Sequence, residues 1–151
     1  MVFCGVLRVI PLPAECELVE LQIRGDDRGS LIAIENGSQI PFDVKRVYYI
    51  FGTTAGTSRG FHAHHDLRQF AICVAGSCVM TLDDGVQRYQ VRLDRPDLGL
   101  QIGSPIWREM SEFSPDCVLL VLADAPYQDS DYIRDYADFQ QIARKSAGDE
   151  A

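Results

Sequence analysis

The feature that most constrains the fold is a series of short runs rich in β-branched and aromatic residues, separated by glycine, proline and aspartate. Runs of this kind are typical of strands, and the residues between them are typical of turns. The pattern predicts strands at 17–23, 30–35, 46–51, 70–74, 77–83, 87–93, 99–102, 107–113 and 117–123. Many short strands at regular spacing predict an all-β antiparallel sandwich or barrel of the jelly-roll type.

The residues that follow the last predicted strand show a helical pattern instead. The segment Asp129-Ser130-Asp131 offers side chains that cap helices, so a helix is predicted at about 130–143. The apolar residues that would pack on the outside of the barrel are Tyr132, Ile133, Tyr136, Phe139 and Ile142. Residues 145–151 are polar and are predicted to fray. We expect one domain over 1–151, with its core at about 18–125.

The charge balance argues against several classes of function. The net charge of −8 is the opposite of what nucleic-acid-binding proteins carry. No run approaches the ~20 apolar residues of a membrane span, and Arg8 and Pro11 interrupt the opening segment, so neither an anchor nor a signal peptide is predicted. The cysteines lack Cys-x-x-Cys spacing and are expected to be buried free thiols in a reducing cytoplasm: Cys4, Cys16, Cys73, Cys78 and Cys117.

All three histidines of the chain lie close together, at His62, His64 and His65. Side chains alternate between the two faces of a strand, so His62 and His64 are predicted to share one face while His65 points to the other. The apolar neighbours Phe61 and Ala63 favour a half-buried strand over a solvated one. Two imidazoles side by side are suited to moving protons, because histidine titrates near the working pH of most enzymes.

The spacing around these histidines resembles the first motif of the cupin superfamily. Gly56, His62, His64 and Gly76 occupy motif positions, and Gln69 stands where the motif has its glutamate. This resemblance implies a cupin double-stranded β-helix, which is a jelly-roll barrel, followed here by the short C-terminal α-helix.

The second cupin motif is matched at Gly99 and Pro105, while Trp107 replaces its glycine and Met110 its histidine. Metal-binding cupins use three imidazoles and a carboxylate, so two of the four ligands are missing. A neutral amide and a thioether are poor ligands for a hard or borderline divalent ion. We therefore expect no metal and no other cofactor.

Several segments together resemble the 3,4-ketoisomerases that act on dTDP-4-keto-6-deoxyhexoses within the cupin superfamily. The matching segments are Arg28-Gly29-Ser30-Leu31, 45–50, 59–64, Trp107-Arg108-Glu109-Met110 and 131–136, within a resemblance that spans Leu18 to Phe139. The resemblance implies isomerisation of a dTDP-linked 4-keto sugar to its 3-keto isomer, without metal, in the biosynthesis of deoxyaminosugars such as those of O-antigen lipopolysaccharide.

This chemistry assigns a role to each candidate residue. A base must remove the C3 proton and a second group must serve the oxygens, and we assign these to His64 and His62 in that order, which the sequence leaves open to reversal. Donors to the enediolate are expected from Tyr48, Gln69 and Arg108. The diphosphate calls for guanidinium groups, for which the candidates are Arg28, Arg46 and Arg59.

The alternatives are a dTDP-sugar 3,5-epimerase, a non-catalytic cupin that binds a small molecule, and a metal-dependent oxygenase. Epimerases pair a histidine with a lysine and a tyrosine acid, whereas the lysines here, Lys45 and Lys145, are not well placed. The resemblance also implies a homodimer that exchanges its N-terminal strands, so that Arg28 reaches the partner's pocket. The C4 stereochemistry of the sugar is left open.

Overall fold

The computed structural model describes residues 10–149, which form short strands followed by a single α-helix. In chain order the elements are β1 (Cys16–Glu20), β2 (Arg24–Asp26), β3 (Gly29–Leu31), β4 (Arg46–Ile50), β5 (Arg59–His64), β6 (Gln69–Ala75), β7 (Cys78–Asp83), β8 (Arg88–Leu93), β9 (Leu98–Ile102), β10 (Trp107–Ser111), β11 (Val118–Ala123), a 3-10 turn (Asp129–Asp131), β12 (Tyr132–Ile133) and α1 (Tyr136–Asp149).

The strands form two five-stranded antiparallel sheets and a separate hairpin. The first sheet has the order β1-β9-β6-β11-β4, and the second has the order β12-β5-β10-β7-β8. Consecutive strands such as β5 and β6 lie in different sheets, so the chain crosses repeatedly from one sheet to the other. This arrangement confirms the predicted all-β jelly-roll barrel of the cupin type.

The core lies between the facing sides of the two sheets. Met80 and Leu82 from the second sheet pack against Leu100, Ile102 and Leu119 from the first. These positions recur at every second residue along their strands, because the side chains of a strand alternate between its faces. Each fully buried aliphatic side chain contributes about 1.5–3 kcal/mol relative to an exposed one, so this core holds the sheets at a fixed separation.

Strand β4 is an edge strand of the first sheet. The structure shows which of its two faces points into the barrel, which the sequence did not determine. Tyr48 and Ile50 face the barrel interior, while Val47, Tyr49 and Phe51 are 55%, 61% and 68% exposed on the other side. Both sets are apolar or aromatic, so the alternation alone did not identify the inner one. The structure leaves a row of large apolar side chains exposed at this edge.

Two strands predicted near the N-terminus are shorter than the sequence indicated. β1 ends at Glu20 rather than at 23, and β3 ends at Leu31 rather than at 35. The side chains of Ile32 and Ile34 pack against Phe70 on the outer side of the first sheet instead of continuing a strand. A segment without ladder partners can bury alternate side chains as a strand does, and this produced the error.

The C-terminal helix exists, but its predicted start was wrong. It begins at Tyr136 rather than near 130, and it continues to Asp149 although fraying was predicted from 145 onward. Residues 132–133 form β12 and pair with β5 instead. The carboxylate of Asp135, not that of Asp131, accepts a hydrogen bond from the first turn, at 2.9 Å from the backbone N of Asp138.

The helix packs on the outside of the barrel, as predicted. Phe139 is fully buried in a cluster with Ala63, Trp107 and Ile133, and its ring centroid lies 5.8 Å from that of Trp107. Ala63 lies between two histidines in sequence, so the helix covers the side of β5 opposite to them. No helix within residues 10–149 is long and apolar enough to cross a membrane.

The cysteines in the described residues are free thiols, as expected. Cys73, Cys78 and Cys117 are buried in the core, with the Sγ of Cys73 3.6 Å from that of Cys78 and 3.8 Å from that of Cys117. Cys16 is only half-buried, contrary to the prediction. Cys4 lies outside the described residues. The three buried thiols fill the barrel interior as small apolar side chains do.

Candidate active site

A cavity of about 570 Å³ lies between β4 of the first sheet and β5 of the second. Its walls are formed by Arg46, Tyr48, Ile50, Arg59, Gly60, Phe61, His62, Met110, Tyr127, Tyr132 and Arg134. Three of the lining residues are arginines and no lining residue is acidic, although the whole chain carries a net charge of −8. The cavity is therefore suited to an anionic ligand with apolar or aromatic parts.

A bulge in β5 brings the histidine strand to the cavity. In the ladder with β10, His62 is opposite Arg108 and Gly60 is opposite Glu109, which leaves Phe61 without a partner. Gly60 has a φ of 93° and Phe61 a φ of 58°. A Cβ atom at position 60 would lie 2.8 Å from the carbonyl oxygen of Arg108, so only glycine fits there. Bulges of this kind redirect side chains beside functional sites.

His62 and His64 share the inner side of β5, as their alternation predicted. Their ring centroids are 4.9 Å apart, and their planes are nearly perpendicular at 88°. The two rings differ in access, because His62 lines the cavity whereas His64 is only 1% exposed. His65 lies on the surface. A ligand that enters the cavity therefore meets His62 first.

A carboxylate from the C-terminal segment holds His64. The Nδ1 atom of His64 lies 3.0 Å from Oδ2 of Asp131, and the other oxygen of Asp131 accepts a hydrogen bond of 2.8 Å from the backbone N of Asp66. The ring of Tyr132 packs on the imidazole, with centroids 4.4 Å apart. The Nε2 atom of His64 is buried and has no hydrogen-bond partner among residues 10–149.

Both imidazoles are kept uncharged at neutral pH. Burial is the main cause, and with the positive charge of Arg108 it lowers the pKa of His62 from 6.5 to about 4. The same two causes lower the pKa of His64 to about 3, although Asp131 acts in the opposite direction. A neutral imidazole has a free lone pair, so either ring is able to accept a proton.

Three further predicted residues form a hydrogen-bonded chain that ends in the cavity. The guanidinium of Arg108 donates from Nη1 to Oε1 of Gln69, and Nε2 of Gln69 donates to the hydroxyl oxygen of Tyr48 over 3.3 Å. Arg108 is itself fully buried and also donates to the carbonyl oxygen of Ile106, at 2.9 Å from Nη2. Since Tyr48 accepts from Gln69, its own O–H remains free to donate. Burial raises the pKa of Tyr48, which keeps that proton in place.

One arginine in the cavity walls has a donor that the chain leaves unpaired. The Nε atom of Arg46 is buried and has no hydrogen-bond partner in the described part of the chain, while its guanidinium lies 5.7 Å from the ring of Tyr48. Arg134, by contrast, stacks 4.4 Å above the ring of Tyr132 and pairs with Asp129 at 3.0 Å. A buried guanidinium N–H without an acceptor is costly unless a ligand supplies one.

Arg28 is not brought to this cavity within a single chain. It lies between β2 and β3, is 89% exposed, and pairs with Asp26 of its own hairpin. It is absent from the described cavity walls, unlike Arg46 and Arg59. The expected contact of Arg28 with the diphosphate in the partner's pocket therefore stays a prediction.

Of the four positions that carry metal ligands in cupins, two hold the imidazoles of His62 and His64, and two hold side chains that bind divalent cations poorly. Both ends of the Gln69 amide are hydrogen-bonded. Met110 offers only a thioether, and the Arg108 guanidinium adds a positive charge within the barrel. These residues do not fit a divalent cation.

Four residues of the site were not predicted from the sequence: Asp131, Tyr127, Tyr132 and Arg134. Asp131, Tyr132 and Arg134 had been assigned to the predicted helix, which in the structure begins later. The signal was present, because the segment 131–136 is one of those that resemble the ketoisomerases. Tyr127 stands in an irregular loop and carries no pattern that would have identified it.

Comparison with known proteins places the chain among sugar-nucleotide isomerases. The family model described as "FdtA: WxcM-like, C-terminal" matches residues 14–144. The TDP-4-oxo-6-deoxy-alpha-D-glucose-3,4-oxoisomerase of Aneurinibacillus thermoaerophilus is 50% identical over 120 residues, which are 80% of this chain and 86% of that protein.

Two solved structures are similar over nearly their whole length. A 3,4-ketoisomerase from Helicobacter canadensis is 44% identical, with a TM-score of 0.84 over 86% of this chain and 98% of that one. The sugar 3,4-ketoisomerase QdtA from Thermoanaerobacterium thermosaccharolyticum, in complex with TDP, is 40% identical, with a TM-score of 0.86 over 89% and 98%.

Proposed function

The chain belongs to the FdtA (WxcM-like, C-terminal) family and is a TDP-sugar 3,4-ketoisomerase, and we propose that it converts a TDP-4-keto-6-deoxyhexose to the 3-keto isomer by proton transfer at His62 and His64. The observation that carries this proposal is the cavity in which His62, Tyr48 and Arg46 converge. QdtA has been solved with TDP, and a variant of it with TDP-4-keto-6-deoxyglucose, which supports a ligand of the same class here.

His62 is the group that exchanges the carbon-bound proton. It lines the cavity, whereas His64 is 1% exposed, so the structure favours the reverse of the order assigned from sequence. Neutral His62 removes the proton from C3 of the 4-keto sugar, which leaves an enediolate, and then returns a proton to C4. No oxidant or reductant is consumed, because the hydrogens lost at C3 and O3 are gained at C4 and O4.

His64 serves the oxygen-bound proton. Its Nε2 atom is buried and lacks a partner within the described residues, and its ring lies beside that of His62, with centroids 4.9 Å apart. We propose that a hydroxyl of the sugar reaches past His62 and donates to this atom. The hydroxyl on C3 must lose its proton as the ketone forms there, and the oxygen on C4 must gain one. His64 accepts the first and makes a proton available for the second.

The enediolate oxygen is stabilised by the chain that runs from Arg108 through Gln69 to Tyr48. Each donor polarises the next, so the Tyr48 hydroxyl becomes a stronger donor at the cavity wall. Donors fixed before the reaction stabilise the charge without having to reorganise. We therefore propose that Gln69 and Arg108 support Tyr48, and that Tyr48 contacts the sugar oxygen.

The arginines of the cavity walls hold the diphosphate. Arg46 has a buried and unpartnered Nε–H, and Arg59 and Arg134 are in the same walls. A guanidinium pairs with two phosphate oxygens at once, which orients the ligand as well as holding it. The rings of Tyr127 and Tyr132 offer flat surfaces for the rest of the nucleotide.

The reaction is proposed to be independent of metal and of any other cofactor. The amide of Gln69 is engaged at both ends, and the charge of Arg108 opposes a cation near the histidines. The enediolate charge is met by hydrogen-bond donors instead, which removes the need for a Lewis acid.

The active enzyme is proposed to be a homodimer in which each hairpin β2–β3 reaches the other chain. Every residue of both strands in this hairpin is exposed, and within the described residues the hairpin pairs with no other strand. The edge strand β4 exposes Val47, Tyr49 and Phe51 beside the cavity residues Arg46 and Tyr48. A second copy would cover this apolar edge, and its Arg28 would meet the diphosphate.

We further propose a cytoplasmic enzyme of deoxyaminosugar biosynthesis, including that of O-antigen lipopolysaccharide, that binds no nucleic acid. The excess of acidic residues supports the absence of nucleic acid as a partner. The 3-keto product is a substrate for an amino-group transfer at C3, which fits such a pathway. The chain is proposed to be one cupin domain.

The test is to incubate the purified protein with TDP-4-keto-6-deoxyglucose and follow the sugar by proton NMR, with and without prior treatment with a chelator. Conversion to a 3-keto sugar at the same rate in both samples is expected. Inversion at C3 or C5 without movement of the ketone would instead identify an epimerase. Tight TDP binding without turnover of the keto sugar would indicate a non-catalytic cupin.

A further inference from the structure

We propose that Asp131 is a positioning residue for catalysis: it fixes His64 in the tautomer that carries its proton on Nδ1 and leaves the Nε2 lone pair free for the substrate. The inference rests on the proposed function of His64 in proton transfer. Its basis is the contact of 3.0 Å between Nδ1 of His64 and Oδ2 of Asp131, together with the unpartnered Nε2 on the other side of the ring.

Asp131 is itself held in place by two hydrogen bonds, one to its side chain and one to its backbone. Its Oδ1 accepts a hydrogen bond of 2.8 Å from the backbone N of Asp66, and its backbone oxygen accepts one of 3.0 Å from the backbone N of His65. β12 follows directly and pairs with β5 at Tyr132 opposite His64. The acid is therefore fixed to the same strand as the base that it orients.

The tautomer follows from the hydrogen-bonding capacity of the groups. An ionised carboxylate can only accept, so the ring nitrogen that faces Asp131 must be the one that donates. A neutral imidazole carries a single N–H, and Nε2 is then left as an acceptor. Without Asp131 the buried ring could protonate either nitrogen, and the tautomer with Nε2–H could not take a proton from a sugar hydroxyl.

Asp131 also lowers the cost of the charged state that follows. When Nε2 accepts the hydroxyl proton, an imidazolium forms in a buried position where Arg108 opposes positive charge. The adjacent carboxylate offsets that cost, and its attraction is strong because the surroundings are poorly solvated. The proton then returns to oxygen O4, so the dyad is regenerated in each turnover.

The decisive variant is Asp131→Asn, which separates orientation from structure. The amide can keep the acceptor to the Asp66 backbone while placing its NH₂ group against Nδ1 of His64, which reverses the tautomer. We expect kcat to fall by about 10²- to 10⁴-fold, as for loss of a general acid-base group. The dissociation constant of TDP should change by less than about threefold, because the Asp131 carboxylate is engaged with His64 and the Asp66 backbone and forms no ion pair with the cavity arginines.

Histidine ¹⁵N NMR provides the readout that a purely structural role would not change. The chain has only three histidines, so the tautomers can be assigned in the intact protein. The wild type should show His64 protonated at Nδ1, and Asp131→Asn should show it protonated at Nε2. The matched control is Asp66→Asn, which removes an exposed charge nearby and should leave kcat and the tautomer unchanged.

A double-mutant cycle with His64→Asn completes the test. If Asp131 acts through His64, adding Asp131→Asn to His64→Asn should lower kcat no further. The proposal is overturned if Asp131→Asn keeps wild-type kcat after the tautomer has reversed, or if the tautomer is unchanged. These results leave the wild-type product assay unaffected, so failure of this proposal is distinct from failure of the proposed function.

Discussion

The histidine strand β5 and the hairpin β2–β3 both carry residues predicted to contact the substrate, but they are built in opposite ways. β5 lies between β10 and β12, with His64 buried and fixed by Asp131. The hairpin is exposed throughout and keeps Arg28 paired with its own Asp26. On our proposal, one chain positions the proton-transfer groups by itself, whereas phosphate binding would draw on a second chain.

The largest effect is expected from β5. His62→Asn should lower kcat by about 10²- to 10⁴-fold because it removes the base that meets the sugar carbon. The dissociation constant of TDP should stay near that of the wild type, since the arginines of the cavity walls remain. Steady-state kinetics and calorimetric titration with TDP check both statements. Equal losses of kcat and of TDP affinity would place His62 in nucleotide binding instead.

A smaller loss of kcat is expected when Tyr48, at the end of the hydrogen-bonded series, loses its hydroxyl. Tyr48→Phe keeps the ring beside Arg46 but removes the only hydroxyl that Gln69 reaches in the described residues. Loss of one such preorganised donor costs about 10²- to 10³-fold in kcat. The comparison of kcat between this variant and the wild type measures it. A rise in KM with kcat unchanged would show that Tyr48 holds the ground state rather than the enediolate.

The hairpin is tested by Arg28→Ala, which should weaken TDP binding by about 10- to 100-fold if the guanidinium contacts phosphate. Arg24→Ala, on the same exposed hairpin, is the matched control and should have little effect. A hybrid dimer of Arg28→Ala and His62→Asn chains, purified with two tags, decides which pocket Arg28 serves.

In that hybrid, a shared site leaves one pocket with both His62 and the partner's Arg28 intact. About half of the wild-type activity should then return. If Arg28 served its own chain, each pocket would lack one of the two residues, and the activity of the hybrid at substrate concentrations well below KM would not exceed that of the Arg28→Ala dimer. A monomeric protein with full activity would contradict the comparison altogether.

The smallest effect is expected from a change of pH near neutrality, where kcat/KM should hardly vary. His62 has its pKa lowered to about 4, so it stays unprotonated from neutral pH down to well below 6. As the pH falls through that value, His62 gains a proton and can no longer accept one from carbon. A plot of kcat/KM against pH should therefore be flat between pH 6 and 7 on its acid side, with the acid limb near 4. An acid limb near 6.5 would show that burial does not govern this residue.

The same shifts affect the stability of the fold. Between pH 6.5 and about 4 the unfolded chain binds protons at His62 and His64 that the folded chain does not. The free energy of unfolding should therefore decrease as the pH falls through this range. Replacement of both histidines by asparagine should reduce that slope in chemical denaturation.

Features that follow an alternating sequence pattern could be predicted from the sequence. Individual contacts between residues far apart in the chain could not. Alternation placed His62 and His64 on one side of β5 and located the buried side of the C-terminal helix. It could not choose the inner side of β4, because both sides are apolar or aromatic. It also gave no warning that Asp131 would contact His64, since a carboxylate before a helical pattern is more often a cap.

The resemblance to ketoisomerases supplied the candidate residues but not their access or connections. It named Arg28 and Arg46 alike, and the structure separates them as hairpin and cavity wall. It named both histidines, yet only the burial of His64 by Tyr132 and Asp131 shows which one a ligand meets first. Such differences arise from packing between segments distant in the chain, which local pattern does not contain.

The role of His62 as the carbon base is tested most directly by hydrogen exchange at C3 of TDP-4-keto-6-deoxyglucose in deuterated water, followed by NMR for the wild type, His62→Asn and His64→Asn. If His62 is the base, His62→Asn should incorporate no deuterium at C3, while His64→Asn should still exchange C3 but form the 3-keto product slowly. The reverse result would assign the carbon base to His64. Exchange at the wild-type rate in both variants would contradict the claim that this strand carries the base.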